Sequence, residues 1–164
     1  HDVYNAMGAS STVNDKLNVL IYFESIIMSS NVANRLINSA FMSILLKLLK
    51  NVKSPHLKMR LCSILGQLVR HSTVIGNDVA ESGLSQSLVE TVKDKNEKVR
   101  RKAVASLGEL LFYAATQLDD DNTESGAVWE IPESAVNMLV HCLAATEDEV
   151  VRFYACKTLE NITA

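Results

Sequence analysis

The sequence predicts an all-α protein in which pairs of helices stack side by side, and three observations lead to this prediction. The chain has 164 residues, 48% apolar and 21% charged, a balance typical of a folded domain rather than of a disordered segment. Only six glycines and two prolines interrupt it, whereas an all-β chain needs a turn about every 8–12 residues. The third observation is a helical pattern that recurs three times along the chain.

This pattern occupies three segments, at successive offsets of 42 and 52 residues. In each segment apolar residues stand at relative positions 0, 4, 8 and 11, which lie on one face of a helix at about 100° per residue. The residues are Leu57, Leu61, Leu65 and Leu68, then Val99, Ala103, Leu107 and Leu110, then Val151, Ala155, Leu159 and Ile162. The alternative is a helical bundle in which the three segments match by chance. Three such matches are improbable, so the pattern favours a repeat.

A second apolar helix precedes each of these segments, at 41–49, 84–92 and 135–143. The polar turns between paired helices contain Ser54, Asn96 and Asp148, which are suited to cap the helices that follow. Shorter stretches at 31–38 and 77–82 are expected to add a small helix to a unit. Because one helix pair of this size cannot bury its apolar face alone, the pairs are predicted to stack as an α-solenoid.

The repeat domain is predicted to cover residues 15–164, beginning with the helix of an incomplete repeat at 15–28, and residues 1–14 are expected to be disordered or adjacent to a tag. An insertion at 117–133 explains the longer second offset, and its acidic composition predicts an exposed loop in which Thr123 or Ser125 could be phosphorylated. Trp129 and Ile131 either pin this loop to the helices or form an exposed anchor for a partner.

Several of these segments resemble the armadillo-repeat family. Glu81-Ser82-Gly83-Leu84, the turn at 93–97 and the helix from Val99 are similar to that family's three-helix unit, and Leu159-Glu160-Asn161-Ile162 matches the end of its third helix. HEAT repeats are similar and stay open as an alternative. The resemblance covers about residues 15–164 and implies a right-handed α-α superhelix, an armadillo-like solenoid with about three full repeats and a partial N-terminal one.

A narrower resemblance rests on residues 94–101 and 107–113, which are similar to the C-terminal repeat region of the Fused and Unc-51-like kinases, and within them to the microtubule-associated Runkel type. It implies that a kinase or pseudokinase domain lies elsewhere in a larger protein, with this segment as a docking arm. The kinase motifs H-R-D and D-F-G and the phosphate-binding G-x-x-x-x-G-K-[ST] are absent from the sequence. This segment is therefore predicted to be no enzyme, with no cofactor and no metal site.

Charge is distributed unevenly along the chain, with a net charge of +7 over residues 47–102, −9 over residues 103–164 and −3 overall. The basic half suggests a strip that recognises an acidic partner through long-range attraction and bidentate arginine contacts. This basic strip consists of Lys58, Arg60, Lys98, Arg100, Arg101 and Lys102. The alternative is a solvated basic edge that balances the acidic third repeat.

The armadillo resemblance also implies a concave groove lined by relative positions 3, 6 and 10 of the third helices. Those positions hold Arg60, Lys102 and Tyr154, then Ser63, Ala105 and Lys157, then Gln67, Glu109 and Asn161. Nuclear-import adaptors carry tryptophan at position 6, so binding of nuclear signals is disfavoured. The predicted partner-binding residues are the basic strip together with Glu109, Tyr154, Lys157 and Asn161.

The sequence thus predicts a non-catalytic scaffold for a protein or an extended peptide, with an acidic partner as one possibility. The alternative is a module that binds microtubules or another acidic surface through the basic strip, and a homodimer through the solenoid ends is also open. DNA binding is disfavoured by a pI of 5.8. No membrane span is expected, because the longest uncharged stretch has 13 residues.

The three cysteines, an odd number, fit a reducing compartment, so a cytoplasmic location is expected, with cytoskeletal association implied by the narrower resemblance. Cys62 and Cys156 share a repeat position with Val104 and are expected to be small buried hydrophobes.

Overall fold

The computed structural model describes residues 2–118 and 128–164, and these residues form ten α-helices and no β-strand. The helices are α1 (Asp2–Ala6), α2 (Val13–Ile26), α3 (Ser30–Ile37), α4 (Phe41–Asn51), α5 (Pro55–His71), α6 (Asn77–Ala80), α7 (Leu84–Val92), α8 (Glu97–Leu118), α9 (Glu133–His141) and α10 (Glu149–Thr163). The all-α prediction is confirmed.

The predicted caps begin three of the long helices. Ser54 and Asp148 accept hydrogen bonds from backbone N–H groups in the first turns of α5 and α10. Asn96 does the same at the start of α8. Each cap satisfies N–H groups that have no partner inside the helix, which fixes where the helix begins.

The long helices lie side by side in the order α2, α5, α8 and α10, and each packs on the next. The preceding helices α4, α7 and α9 pack on α5, α8 and α10 respectively, and α7 also contacts α4 and α9. The apolar pattern therefore faces one shared core. Leu65 and Leu107 are fully buried in it, and the equivalent Leu159 packs against it while partly buried.

Two close approaches between neighbouring long helices recur at equivalent positions. A Cβ atom at Gly66 of α5 would lie 2.5 Å from the hydroxyl oxygen of Ser106 on α8, and one at Gly108 of α8 would lie 2.6 Å from that of Thr158 on α10. The small glycine therefore lets the next helix come near. The equivalent position in α10 holds Glu160.

Neighbouring long helices run parallel with a small offset that recurs. Lys58 near the start of α5 pairs with Asp94, just before α8, while Gly66 farther along α5 meets Ser106 farther along α8. On the other side of α8, Arg101 pairs with Asp148 at the start of α10, and Gly108 meets Thr158 about two and a half turns into that helix. In both contacts relative position 9 of one helix meets position 7 of the next.

Disorder or a tag was predicted for the N-terminal segment, and within residues 2–14 the structure describes helix α1. Helix α1 packs on α2, and the side chain of Met7 is buried in the common core. Thr12 and Asp15 form a reciprocal capping box that starts α2 at Val13, two residues earlier than predicted. Lys16 of α2 also donates hydrogen bonds to the backbone oxygen and the hydroxyl of Ser11, at 2.8 Å and 2.6 Å.

The described end of the insertion is fixed to the helices. Trp129 is 8% exposed, and its ring meets that of Tyr113 edge-on, with the centroids 5.0 Å apart. Ile131 is partly buried against the same core. Of the two alternatives, pinning of the segment is therefore the one that the structure shows. The predicted loop begins later than expected, because Gln117 and Leu118 still belong to α8. Residues 119–127, with Thr123 and Ser125, lie outside the described residues.

The cysteines divide into two buried and one exposed. Burial raises the pKa of the Cys62 thiol to about 12 and that of Cys142 to about 11, which keeps both protonated. The expectation that Cys156 is buried is wrong, because its side chain is exposed. The same position in α5 and α8 is covered by the next long helix, whereas no described element covers it on α10.

Among the described residues, no single helix combines the length and apolar character needed to cross a bilayer. The neighbours α3 and α4 reach that threshold only when taken together, across a bend of 70°.

Candidate functional site

A cleft of about 350 Å³ crosses α5, α8 and α10 on one face of the molecule. Eight of the nine predicted groove residues line it. They are Ser63, Gln67, Lys102, Ala105, Glu109, Tyr154, Lys157 and Asn161. The ninth, Arg60, lines an adjoining cleft of about 270 Å³ towards α2, which shares Ser63 and Lys102 with the first. The structure thus brings all nine positions into one groove.

The floor of this groove is made of small residues. Gly66, Ser106, Gly108 and Thr158 all line the main cleft, and at each glycine an added Cβ would collide with the hydroxyl of the next helix. Because none of them carries a long side chain, the groove reaches down between the helices. Sequence reasoning missed this floor, although the recurrence of glycine at relative position 9 was a visible signal.

Two further lining residues were also missed. Arg70 and Phe112 both stand at relative position 13, one helical turn beyond position 10 on the same face. Arg70 is exposed, and 49% of the Phe112 side chain is accessible. Extending the series of positions 3, 6 and 10 by one turn would have found them.

At the α2 end of the groove, one carboxylate accepts hydrogen bonds from three side chains of α5. Glu24 accepts hydrogen bonds from Arg60, from the hydroxyl of Ser63 at 3.0 Å and from the amide of Gln67, also at 3.0 Å. Gln67 additionally donates to Ser63 at 3.0 Å. This network neutralises Arg60 and ties α2 to α5, so Arg60 is engaged within the chain.

Most of the predicted basic strip is paired in the same way. Lys58 binds Asp94 at 2.6 Å, Arg100 binds Glu147 at 2.8 Å and Arg101 binds Asp148 at 2.6 Å. With Arg60, four of the six bases therefore meet acids of the chain itself, and the strip is not an open cationic surface. Lys98 and Lys102 are exposed and have no ion pair within residues 2–118 and 128–164.

These pairs shift the acidity of their carboxyl groups. Hydrogen bonds from the Arg101 guanidinium, helped by backbone N–H groups of α10, lower the pKa of Asp148 to about 2. Partial burial of Glu147 and Asp94 favours their neutral forms. Hydrogen bonds from Arg100 and Lys58 and from nearby backbone N–H groups outweigh burial, so both pKa values lie below their usual range.

The chain is similar to segments of larger serine/threonine-protein kinases. It is 36% identical over 165 residues to the kinase RUNKEL of Arabidopsis thaliana, a match that covers 94% of this chain and 12% of RUNKEL. It is 28% identical over 149 residues to the kinase ULK4 of Mus musculus, covering 90% of this chain and 11% of ULK4. The narrower resemblance holds to this extent: the chain is homologous to a short segment of RUNKEL and of ULK4.

The fold is shared with an engineered protein of known crystal structure, structural-genomics target OR329. The TM-score is 0.70 at 17% sequence identity, over 99% of this chain and 62% of the engineered one. At that identity the likeness concerns the fold alone. No protein-family model matches the chain.

Proposed function

We propose that this chain is a non-catalytic interaction segment of a larger kinase-family protein, from its C-terminal region, and that its groove holds an extended segment of a partner protein. The small share of RUNKEL and ULK4 that it matches supports a position outside a kinase catalytic domain. The absence of the H-R-D and D-F-G motifs from its sequence agrees with this position.

The proposal includes an armadillo-like, right-handed superhelix as the architecture. Its support is the order of the long helices, each packed on the next, and the recurrence of the glycine–hydroxyl contact between α5 and α8 and between α8 and α10. Repeats that contact only their neighbours form extended surfaces suited to long ligands. The groove across α2, α5, α8 and α10 is a surface of that kind.

The observation that carries the proposal is the composition of the groove. Amide side chains line it, namely Asn161 and Gln67, whose amide nitrogen already donates to Glu24, beside the exposed ring of Phe112. An extended peptide has backbone N–H and C=O groups that need partners, and such side chains can supply them while an aromatic ring packs on an apolar residue. The alternative through the basic strip has less support, because four of its six bases are paired within the chain.

The test is a selection of random dodecapeptides displayed on phage against the purified chain. Selected peptides should lose about tenfold or more in affinity for Ala105→Arg, whose long side chain would fill the middle of the groove. Ala144→Arg is the matched control, because Ala144 is exposed in the turn between α9 and α10 and lines none of the groove. Circular dichroism verifies that both variants are folded. Failure to select peptides, or equal binding to both variants, would overturn the proposal.

A further inference from the structure

We propose that the groove selects an acidic peptide, whose aspartate or glutamate side chains bind Arg70, Lys102 and Lys157. The inference rests on the function proposed above and adds the chemistry of the partner. The sequence suggested that an acidic partner binds the basic strip. The inference places that partner in the groove instead, on Arg70, Lys157 and a single member of the strip, Lys102.

The first argument is the charge of the lining. Arg70 on α5, Lys102 on α8 and Lys157 on α10 all line the main cleft, and all three are exposed. None of them is in an ion pair within the part of the chain that the structure describes. Against them stands Glu109, the one acidic residue among the described residues of the lining. The cleft therefore has a surplus of two positive charges.

The second argument is the contrast with the remaining bases at these helix interfaces. Lys58, Arg60, Arg100 and Arg101 are each bound to an acid on a neighbouring element. In a chain of net charge −3, acids are available, yet the groove cations are left without them. A concave surface lined by one sign of charge attracts ligands of the opposite sign and orients them.

The third argument is spacing. Ser106 at relative position 7 of α8 meets Gly66 at position 9 of α5, so Lys102 at position 3 lies near the height of position 5 of α5. Arg70 at position 13 is therefore eight residues higher. That difference is about 12 Å along the helix axis, which an extended peptide covers with about four residues. Lys157 at position 6 lies between these heights. An occupant with acidic residues about four positions apart could therefore contact both ends of the cleft.

The test repeats the dodecapeptide selection on the intact chain and on two charge-reversed variants. Peptides selected on the wild-type chain should be enriched in aspartate and glutamate. The groove variant Arg70→Glu/Lys102→Glu/Lys157→Glu should bind those peptides about tenfold or more weakly and should itself select lysine- and arginine-rich peptides. The control variant Lys47→Glu/Lys53→Glu/Lys95→Glu makes the same change in net charge at three exposed residues outside the groove and outside the basic strip. It should keep the acidic preference.

The outcomes separate this inference from the function on which it rests. Peptides that are blocked by Ala105→Arg but show no acidic enrichment would overturn the inference and leave the groove function standing. A loss of the acidic preference in the control variant equal to that in the groove variant would also overturn it, since the effect would then be one of net charge. A selection that yields no groove-dependent peptide would overturn both.

Discussion

Asp148 combines two structural roles in one carboxylate. It accepts two hydrogen bonds from the Arg101 guanidinium on α8 and two from backbone N–H groups that begin α10. One side chain thus caps a helix and joins it to its neighbour. All of these donors favour the ionised form, which is why the pKa of Asp148 falls from 3.8 to about 2.

This shift predicts a specific dependence of stability on pH. The unfolded chain takes up a proton on Asp148 near pH 3.8, whereas the folded chain holds the charge until about pH 2. The contribution to the free energy of unfolding is therefore fully present above about pH 4–5 and is lost as pH falls towards 2. In Asp148→Asn, which keeps a good capping residue, urea unfolding followed by circular dichroism should show a flatter decline over this range.

Arg101→Met removes the guanidinium, the first cause of this pKa shift, and should flatten the decline in part, because the backbone N–H groups of α10 still lower the pKa of Asp148. The double variant should add little to Asp148→Asn, because that change already removes the ion pair with Arg101. A wild-type slope in Asp148→Asn would contradict the assignment of this shift to Asp148.

The sequence showed which residues are basic and that the third repeat is acidic. It did not show which basic residue would pair with which acidic residue. The partners are 36 residues apart for Lys58 and Asp94 and 47 apart for Arg100 and Glu147. Their contact depends on how far neighbouring helices are displaced along each other, and no local pattern contains that displacement. Of the four paired bases, Arg100 and Arg101 meet acids of the third repeat, whereas Lys58 and Arg60 meet acids outside it.

The close contact between helices α8 and α10 at Gly108 can be tested by measuring the unfolding free energy of variants. A Cβ there would lie 2.6 Å from Thr158 Oγ1 but 3.8 Å from Thr158 Cβ. Gly108→Ala should therefore cost about 1–2 kcal/mol of unfolding free energy in the wild-type chain. In a Thr158→Ala background the same change should be neutral or stabilise by up to about 1 kcal/mol, because alanine favours the helix.

Gly66 provides the matched comparison for this double-mutant cycle. A Cβ at Gly66 would still lie 3.0 Å and 3.1 Å from Cβ and Cα of Ser106, so Ser106→Ala should rescue Gly66→Ala less completely. Urea midpoints at constant slope give the four free energies in each cycle. Additive effects at Gly108 and Thr158 would contradict the close approach between α8 and α10.

Most helices could be predicted from the sequence because their apolar spacing and caps are local. Helix α7 has the predicted bounds, and Ser54 and Asp148 cap α5 and α10 as predicted. Helix α1 was missed, since a five-residue helix has no apolar repeat of its own and is held by packing on α2. The exposure of Cys156 was missed because burial at that position depends on whether another helix covers it.

Across the molecule, the helices differ in how many neighbours cover them. Helix α5 packs between α2 and α8, and α8 between α5 and α10, whereas α10 contacts α8 and α9 on one side. Amide hydrogen exchange should therefore be slowest in α5 and α8 and faster in α10 and α1, because a helix covered on both sides opens only with much of the molecule. Mass spectrometry of peptic fragments measures these rates, and equal protection in α8 and α10 would contradict the prediction.

The location of the groove could be predicted at this scale, since equivalent positions of parallel, stacked helices face the same side and lie within about a turn of each other in height. The charge of the groove could not be predicted from the sequence. Glu24, on another helix, pairs with Arg60 and not with Lys102. Lys102 therefore remains available for a ligand, whereas Arg60 does not.

Helix spacing and the shape of the groove depend on the same four side chains. Gly66, Ser106, Gly108 and Thr158 set how near the long helices come and also form the bottom of the cleft. A larger residue at any of these four positions would push two helices apart, and the same substitution would make the cleft shallower. Fold stability and ligand preference are therefore expected to change together at these sites, so that such substitutions alter both properties or neither.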